Sequence, residues 1–407
     1  MIRTSLQAIR AGHWPSLMSA WLHFEVSFIV WLLIGALGVA IAEEFNLSST
    51  QKGFLVAVPL LGGACLRIVV GPLADWFGVK PIGLAVLGAE ILALFLAWHF
   101  GTTYLQMLGI GLLIGVAGAS FAIALPLASQ AYPPAHQGLA MGVAAIGNSG
   151  VLLATFFAPR IANEVGWHQT FGLMIVPVVF TALVFWWVVP WAYPQTPSIQ
   201  KRAEASSIPI KRQQPFLIWL CGLYGVTFGG FVGFTSFFPI FFHDQYQLDM
   251  VAAGTMTALC GLAGSLARPI GGHLADKFGG IGLLQMALGI IAVLSLALSG
   301  LFPAYLTFPL AIGMLLLLGF GNGMVFQVVS LRFQGAMGTA SGFIGAAGGL
   351  GGFFLPSSFG ILKDVTGTYG GGFLMFAFCA GIAAVSVLKV GRAFKLSLPD
   401  SRVESHV

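Results

Sequence analysis

Charged side chains are scarce in this chain. Asp, Glu, Lys and Arg make up 8% of the 407 residues, whereas a soluble domain carries about 25%. The four cysteines all fall in apolar segments and lack the spacing of metal ligands. The sequence also has no phosphate-binding loop and no nucleophile with a plausible neighbouring base. These absences argue against a soluble protein, and they predict no enzyme activity, no cofactor and no bound metal.

Apolar residues are abundant instead, at 57% of the chain. Twelve apolar segments are each about long enough to cross ~30 Å of hydrocarbon as a helix. We therefore predict an all-α integral membrane protein with twelve transmembrane helices. The predicted spans are residues 16–42, 53–74, 80–99, 104–131, 138–163, 168–192, 215–243, 251–275, 280–300, 305–330, 337–361 and 371–394.

One sizeable polar stretch divides the spans six and six. It predicts an N-terminal six-helix bundle at 1–192, a cytoplasmic linker at 193–214 and a C-terminal six-helix bundle at 215–407. With both termini in the cytoplasm, 13 of the 18 Lys and Arg residues lie on the cytoplasmic side. This asymmetry fits the positive-inside rule. It also explains the net charge of +5 without a nucleic-acid partner.

The two halves carry the same motif. Residues 61–78 (LGGACLRIVVGPLADWFG) and 262–279 (LAGSLARPIGGHLADKFG) align at an offset of 201, with nine of eighteen positions identical. The offset places Arg67 on Arg268. Six spans separate the copies, so both run in the same direction across the membrane. The sequence therefore predicts two pseudo-symmetric bundles with a substrate site between them, near the membrane midplane.

The paired arginines are the strongest candidates for a binding site. A charge inside a span costs at least ~2.5–3.5 kcal/mol and is a functional candidate by default. Arg keeps its charge, and its planar fork matches a planar oxyanion such as nitrate through paired hydrogen bonds. Gly63 and Gly71 lie four residues either side of Arg67, and Gly264 and Gly272 lie likewise around Arg268. These small neighbours are expected to leave open volume at the guanidinium groups. The alternative is that each arginine reaches the interface or has a structural partner.

Two segments, GPLADWFGVK (71–80) and GHLADKFGG (272–280), resemble the loop motif of the major facilitator superfamily. Five further segments resemble its nitrate/nitrite porter branch: residues 115–133, 147–150, 223–234, 319–327 and 342–356. The resemblance implies two bundles that rock around a central site, in a bacterial inner-membrane protein that works as a monomer. It implies that Arg67 and Arg268 bind nitrate or nitrite, with Tyr224 and Phe228 as aromatic contacts. It also implies a gating motif of Gly71, Asp75, Gly78, Gly272, Asp276 and Gly279.

The other candidate site residues are supported by fewer observations than the two arginines. Tyr224 and Phe228 lie four residues apart on one helix face, which ordinary packing would also explain. Asn148 and Asn322 could donate to the anion or bond between helices. Glu25 lies at about the depth expected for the arginines and is a candidate for proton coupling, whereas Glu90 reads as structural. The glycine run at 345–352 predicts a hinge or a close helix contact.

The preferred hypothesis is a secondary transporter that imports nitrate together with a proton, by alternating access. Ionised Glu25 would reduce the charge of the empty site from two positive charges to one. A carboxyl near the arginines could then take up a proton together with the anion, which leaves the loaded site with the same single positive charge, and release the proton when the site empties. A site with two unbalanced arginines would instead favour exchange of nitrate for nitrite, because reorienting an empty, charged site is unfavourable. A carrier or channel for another small monovalent anion, and a nitrate receptor without flux, stay open on the sequence alone.

Overall fold

The computed structural model describes residues 11–133, 136–191, 210–333 and 337–395. Within these ranges the ordered structure is helical, and no strand occurs. Twelve long apolar helices, α1 to α12, are long enough to cross a membrane. Their bounds are Trp14–Glu44, Ser49–Phe77, Val79–Phe100, Tyr104–Gln130, Gln137–Val165, Trp167–Val188, Ile210–Tyr246, Met250–Phe278, Gly280–Leu298, Ala304–Arg332, Met337–Thr366 and Gly370–Lys395.

Three helices of the N-terminal half depart locally from regular α-helical geometry. The α1 helix is interrupted at Leu37, between Trp14–Ala36 and Gly38–Glu44. The α4 helix contains a 3₁₀ segment at Gly115–Ser120, and α5 contains one at Ile146–Ser149. Such segments inside long helices often mark functional hinges. Both segments lie where α4 and α5 pack against α1.

The predicted all-α fold of twelve membrane helices is confirmed, and the predicted and observed helices differ only in where they begin and end. The two largest shifts are equal: α11 ends at Thr366 instead of 361, and α7 begins at Ile210, within the predicted linker 193–214. The sequence there contains Lys, Arg and Gln, which are good helix formers, so the helix continues beyond the apolar run. Residues 193–209 lie outside the described part of the chain, and the domain boundaries stay a prediction.

The backbone conformation at the ends of α2 and α8 repeats with the same offset of 201 residues as the sequence motif. Gly78 and Gly279 end α2 and α8 with φ of 94° and 89°, a left-handed conformation that glycine adopts without steric cost. The N-caps of the same two helices, Ser48 and Asp249, are also 201 residues apart, and both accept backbone N–H groups. The two motif copies therefore share their local backbone structure as well as their sequence.

The helices form two six-helix bundles, α1–α6 and α7–α12, that meet along a long interface. The α2 helix packs along α11, α5 along α8, and α1 against α7. We call the end with the α1–α2 and α7–α8 connections the outer end, following the orientation that the Lys and Arg distribution predicts. The opposite end, with the two copies of the glycine-rich loop motif, is the inner end.

Candidate functional site

Arg67 lies at the centre of the interface, on α2, and is 3% exposed. Its Nε donates to the Gly118 carbonyl in the 3₁₀ segment of α4, at 2.7 Å. Its Nη1 donates to the Gly345 carbonyl of α11, in the other bundle, at 2.9 Å. Its Nη2 has no hydrogen-bond partner among the described residues. One edge of this buried cation is therefore free to donate to an anion.

Three aromatic rings surround the same guanidinium. Its carbon lies 5.0 Å from the centre of the Trp31 ring and 5.5 Å from those of Phe121 and Phe228, within the range of cation–π attraction. The Trp31 indole N–H donates to the Pro59 carbonyl at 2.8 Å, which fixes the ring. A Cβ at Gly63 would lie only 2.8 Å from that ring. The expectation of open volume beside Gly63 is therefore wrong, because the indole of α1 fills the space.

Arg268 occupies the equivalent place on α8 but is partly exposed. Its guanidinium carbon lies 5.8 Å from the centre of the Phe326 ring of α10, and the Tyr224 hydroxyl is within hydrogen-bonding reach. Its Nη1 has no partner among the described residues. The two guanidinium groups are close enough to repel each other. At Gly264, too, the expected open volume is absent, because the Phe231 ring would lie 2.6 Å from a Cβ there.

Tyr224 and Phe228 form a stacked pair next to both arginines. Their ring centres are 5.0 Å apart and the planes differ by 2°. Phe228 also stacks on Trp31 across the interface, at 6.4 Å. A Cβ at Gly348 of α11 would lie 2.8 Å from both rings of the pair. Only glycine allows this approach, so the predicted close contact in the glycine run places the aromatic pair beside the arginines.

Asn148 and Asn322 are both buried, and the side-chain oxygen of each lacks a partner among the described residues. The backbone carbonyl of Asn148 accepts a bond of 3.4 Å from Ser265, which precedes Arg268 by three residues on α8. The described hydrogen bonds do not link either amide to an arginine. A direct role of the two asparagines in anion binding stays a prediction.

Glu25 turns towards α5. Its two carboxylate oxygens accept bonds of 3.1 and 2.8 Å from the Ser149 hydroxyl. In the described part of the chain it forms no ion pair with Arg67 or Arg268. The carboxylate therefore bonds to the residue that follows Asn148 on α5, and it does not neutralise an arginine directly.

The outer end of the interface is joined by polar contacts between the bundles. Lys52 of α2 forms an ion pair with Asp244 of α7, with N–O distances of 2.8 and 2.9 Å. The Tyr369 hydroxyl donates to the same carboxylate at 2.8 Å. Burial, and then the nearby Asp244 carboxylate, raise the pKa of Tyr369, so its hydroxyl keeps the proton that it donates. Asp364 of α11 accepts the backbone N–H groups at residues 49 and 50, which start α2.

The inner end is different. Asp75 and Asp276, the acids of the two motif copies, are exposed and form no hydrogen bond or ion pair within the described ranges. A Cβ at Gly71 or Gly279 would meet no atom within 4 Å, and one at Gly272 would approach only the Gly323 carbonyl of its own bundle. The described hydrogen bonds and ion pairs thus join the bundles at the outer end, at Arg67 and at Asn148, while the predicted gating residues do not meet the opposite bundle.

This arrangement is suited to holding a small anion between two bundles. Each bundle supplies one arginine with a free N–H group, and a stacked aromatic pair covers one side. The described residues contain no group of His, Cys, Asp and Glu side chains that could hold a metal ion. The fold and the site together define a membrane transport protein of two related bundles.

Comparison with known proteins gives the family. Residues 20–356 match the Major Facilitator Superfamily. The chain is 35% identical over 368 residues to the "Probable nitrate/nitrite transporter NarK2" of Mycobacterium tuberculosis, covering 88% of this chain and 91% of that protein. It is 31% identical to the "Nitrite extrusion protein" of Bacillus subtilis, over 90% and 92% of the two chains. The chain therefore belongs to the major facilitator superfamily, in its nitrate/nitrite porter family, and is a transporter rather than an enzyme.

Two further comparisons concern mechanism and fold. The "Probable nitrate/nitrite antiporter NarK1" of Thermus thermophilus is 29% identical, over 85% of this chain and 84% of that protein. Among solved structures, a D-xylose–proton symporter superposes with a TM-score of 0.72 at 17% identity, covering 94% of this chain and 97% of that one. At that identity the likeness concerns the fold alone.

Several residues of the site were not predicted from the sequence. Trp31, Phe121 and Phe326 surround the arginines, and the carbonyls of Gly118 and Gly345 accept from Arg67. Helical spacing predicts which residues of one helix share a face, but not which other helix that face meets. Phe121 of α4 and Phe326 of α10 contact each other at 5.9 Å, but the 201-residue offset does not align them, so the sequence repeat did not predict this contact.

Proposed function

We propose that this protein is a secondary transporter that binds nitrate, and nitrite as a second substrate, between Arg67 and Arg268. The observation that carries the proposal is the pair of intramembrane guanidinium groups, one from each bundle, each with an N–H edge that has no partner among the described residues. The names of the relatives point to the same anions. Both arginines come from one chain, so a monomer holds the complete site.

The contacts of Arg67 support transport by alternating access. It already bonds to Gly345 of the opposite bundle, so an anion bound between the arginines adds a second link across the interface. The outer end is joined by the Lys52–Asp244 pair, while Asp75 and Asp276 at the inner end are exposed. Rocking of one bundle on the other would open the first set of contacts and bring the second set together, in an inner membrane with both termini in the cytoplasm.

Proton-coupled import is our preferred mode, and Glu25 is the coupling candidate. The carboxyl is 5% exposed and lies on α1, the helix that carries Trp31 beside Arg67. Ionised Glu25 lowers the charge of the empty region from two positive charges to one. A proton that loads with nitrate and leaves with it would keep that charge the same in the loaded and empty carrier, which lowers the barrier to reorientation.

Exchange of nitrate for nitrite is the second candidate, and one observation favours it. Glu25 bonds to Ser149 and does not pair with either arginine in the described structure. If the carboxyl stays outside the site, the empty carrier holds two positive charges and needs an anion to reorient.

The discriminating experiment is nitrate flux into proteoliposomes with and without an inward proton gradient, for the wild-type protein and Glu25→Gln. Proton-coupled import predicts acid-stimulated net uptake that Glu25→Gln abolishes, while nitrate–nitrate counterflow continues. Undiminished acid-driven uptake in the variant would remove Glu25 from coupling. Counterflow without any net uptake in the wild type would favour exchange, whereas flux without saturation or counterflow would indicate a channel. Nitrate binding without flux would indicate a receptor.

A further inference from the structure

A row of buried polar side chains, which we call the file, lies along one face of α1, away from the arginine site. It consists of Ser16, Ser19, His23 and Ser27, spaced three or four residues apart, as neighbours on one helix face are. Each is at most 1% exposed. At the inner end of the file, His13 bonds to Ser16 at 2.8 Å. Four buried polar residues in one line are unusual in a helix that otherwise presents apolar side chains to its neighbours.

The file ends at a buried acid. Ser27 donates to one oxygen of Glu90, on α3, at 2.6 Å. One turn nearer the inner end, the His23 Nε2 contacts the Gly83 carbonyl at 3.2 Å. Glu90 and Gly83 lie seven residues apart on α3, so they share a face of that helix. The α1 and α3 helices run in the same direction. Glu90 and His23 therefore lie along one line of contact between these two helices, which we call the seam.

Three atoms of this seam have no hydrogen-bond partner in the described structure: Ser19 Oγ, His23 Nδ1 and Glu90 Oε2. An unsatisfied buried polar atom costs about 1–3 kcal/mol, and native proteins normally satisfy such atoms with protein groups or buried water. The three unpaired atoms alternate with the bonded ones along the seam. Water bound at these atoms would link the bonded groups into one chain between the inner end and Glu90.

In the described part of the chain, no counter-charge faces the Glu90 carboxyl. The helices packed against α3 are α1, α2, α4 and α6. Within the described ranges, their titratable or charged side chains, together with those of α3, are His23, Glu25, Glu43, Glu44, Lys52, Cys65, Arg67, Asp75, Lys80, His99, Tyr104 and His168. None forms an ion pair with Glu90, and Arg67 is already engaged with Gly118 and Gly345. An isolated carboxylate at membrane depth is costly, so the carboxylic acid is the form that this position accommodates.

We propose that Glu90 is a proton-binding site inside the N-terminal bundle, and that the file from Ser16 to Ser27 is the route by which its proton exchanges with the inner side. The site is separate from Glu25. Although Glu25 and Ser27 are two residues apart on α1, Glu25 accepts from Ser149 of α5 and Ser27 donates to Glu90 of α3. The helix that contacts Arg67 through Trp31 thus has a carboxyl group on each of two sides.

Infrared spectroscopy of the full-length protein in liposomes tests the proposal without measuring transport. The C=O stretch of a protonated carboxylic acid is separate from the carboxylate bands and shifts in D₂O. We expect a component at neutral pH that Glu90→Gln removes and Glu25→Gln keeps. Ser27→Ala should move that component to higher frequency through loss of the hydrogen bond, which identifies Glu90 even if Glu90→Gln does not fold.

The route is tested by the rate at which this component shifts after transfer to D₂O. His23→Phe should slow the shift several-fold. His168→Phe is the matched control, because the His168 Nε2 also contacts a glycine carbonyl at 3.2 Å, but near the outer end; it should leave the rate unchanged. A spectrum without a component that depends on Glu90 or Ser27 would overturn the proton site, and an unaltered rate in His23→Phe would overturn the route. Either failure would leave the proposed nitrate transport untouched.

Discussion

Arg67 and Arg268 occupy equivalent positions in two copies of one helix, 201 residues apart, yet their surroundings differ. Arg67 is almost fully buried, contacts three aromatic rings and donates to a carbonyl in each bundle. Arg268 is partly exposed, and its described contacts are the Phe326 ring and the Tyr224 hydroxyl. From this difference we propose a division of roles: the N-terminal arginine also ties the bundles together, whereas the C-terminal one is held more loosely and is available to an arriving anion.

The largest expected effect is that of Arg67→Lys. A lysine ammonium cannot reproduce the planar fork that bonds to Gly118, to Gly345 and to the anion. We expect nitrate affinity to fall by ~1–3 kcal/mol, the scale of a charge-assisted hydrogen bond, together with a lower thermal stability of the protein without nitrate. Isothermal titration calorimetry and thermal unfolding measure the two effects. Arg160→Lys, at the outer end, is the matched control and should keep wild-type affinity.

Arg268→Lys sharpens the comparison. It should weaken nitrate binding by a similar ~1–3 kcal/mol but leave the thermal stability of the nitrate-free protein close to wild type, because Arg268 has no described bond to a backbone carbonyl. The same two measurements apply. Equal loss of stability in the two lysine variants would contradict the proposed division of roles.

Phe228→Leu tests the stacked aromatic pair, in which Phe228 contacts Arg67 and Tyr224 lies next to Arg268. Loss of the ring removes a cation–π contact and should weaken nitrate binding by ~0.5–2 kcal/mol. Phe234→Leu is the control, since Phe234 is equally buried on α7 but contacts only rings of its own bundle. Equal losses of affinity at the two positions would assign Phe228 to packing.

If the shape of the aromatic ring matters most at Tyr224, Tyr224→Phe should weaken nitrate binding less than Tyr224→Ala.

The smallest expected effect concerns the ends of the interface. Asp244→Asn breaks the ion pair with Lys52 and weakens the bond from Tyr369, which should shift the equilibrium towards an open outer end by about 1 kcal/mol, roughly fivefold. Thiol labelling of Ser236→Cys reports this shift in a protein without native cysteines, because Ser236 is buried against Gly35 where α7 meets α1. Labelling should rise with Asp244→Asn. An unchanged rate would mean that the outer contacts do not hold the interface closed.

The sequence predicted the parts of this picture that depend on local pattern or repetition. Apolar run length gives the twelve helices, and the 201-residue offset gives the equivalence of Arg67 and Arg268. The structure also brings Tyr224 and Phe228 to the arginines, as the resemblance to the nitrate/nitrite porter family implies. A role for these residues in transport is a prediction that the experiments above test.

The contacts between helices were beyond prediction from one sequence. Trp31 fills the space left by Gly63, and Gly345 accepts from an arginine 278 residues away. The rotation of each helix about its axis, which decides these contacts, is set by the packing of all twelve. For the same reason Glu25 lies at a plausible depth but faces Ser149, and Glu90, which reads as structural in the sequence, ends a polar file of α1.

The central claim is that one nitrate ion is bound by both arginines together. The most direct test is a double-mutant cycle of nitrate affinity with Arg67→Lys, Arg268→Lys and the double variant. If both side chains bind the same ion, each single substitution weakens binding, and the second one costs less in the presence of the first, with an interaction energy of at least ~0.5 kcal/mol. Wild-type affinity in either single variant, or losses that add within ~0.3–0.5 kcal/mol, would contradict a shared site.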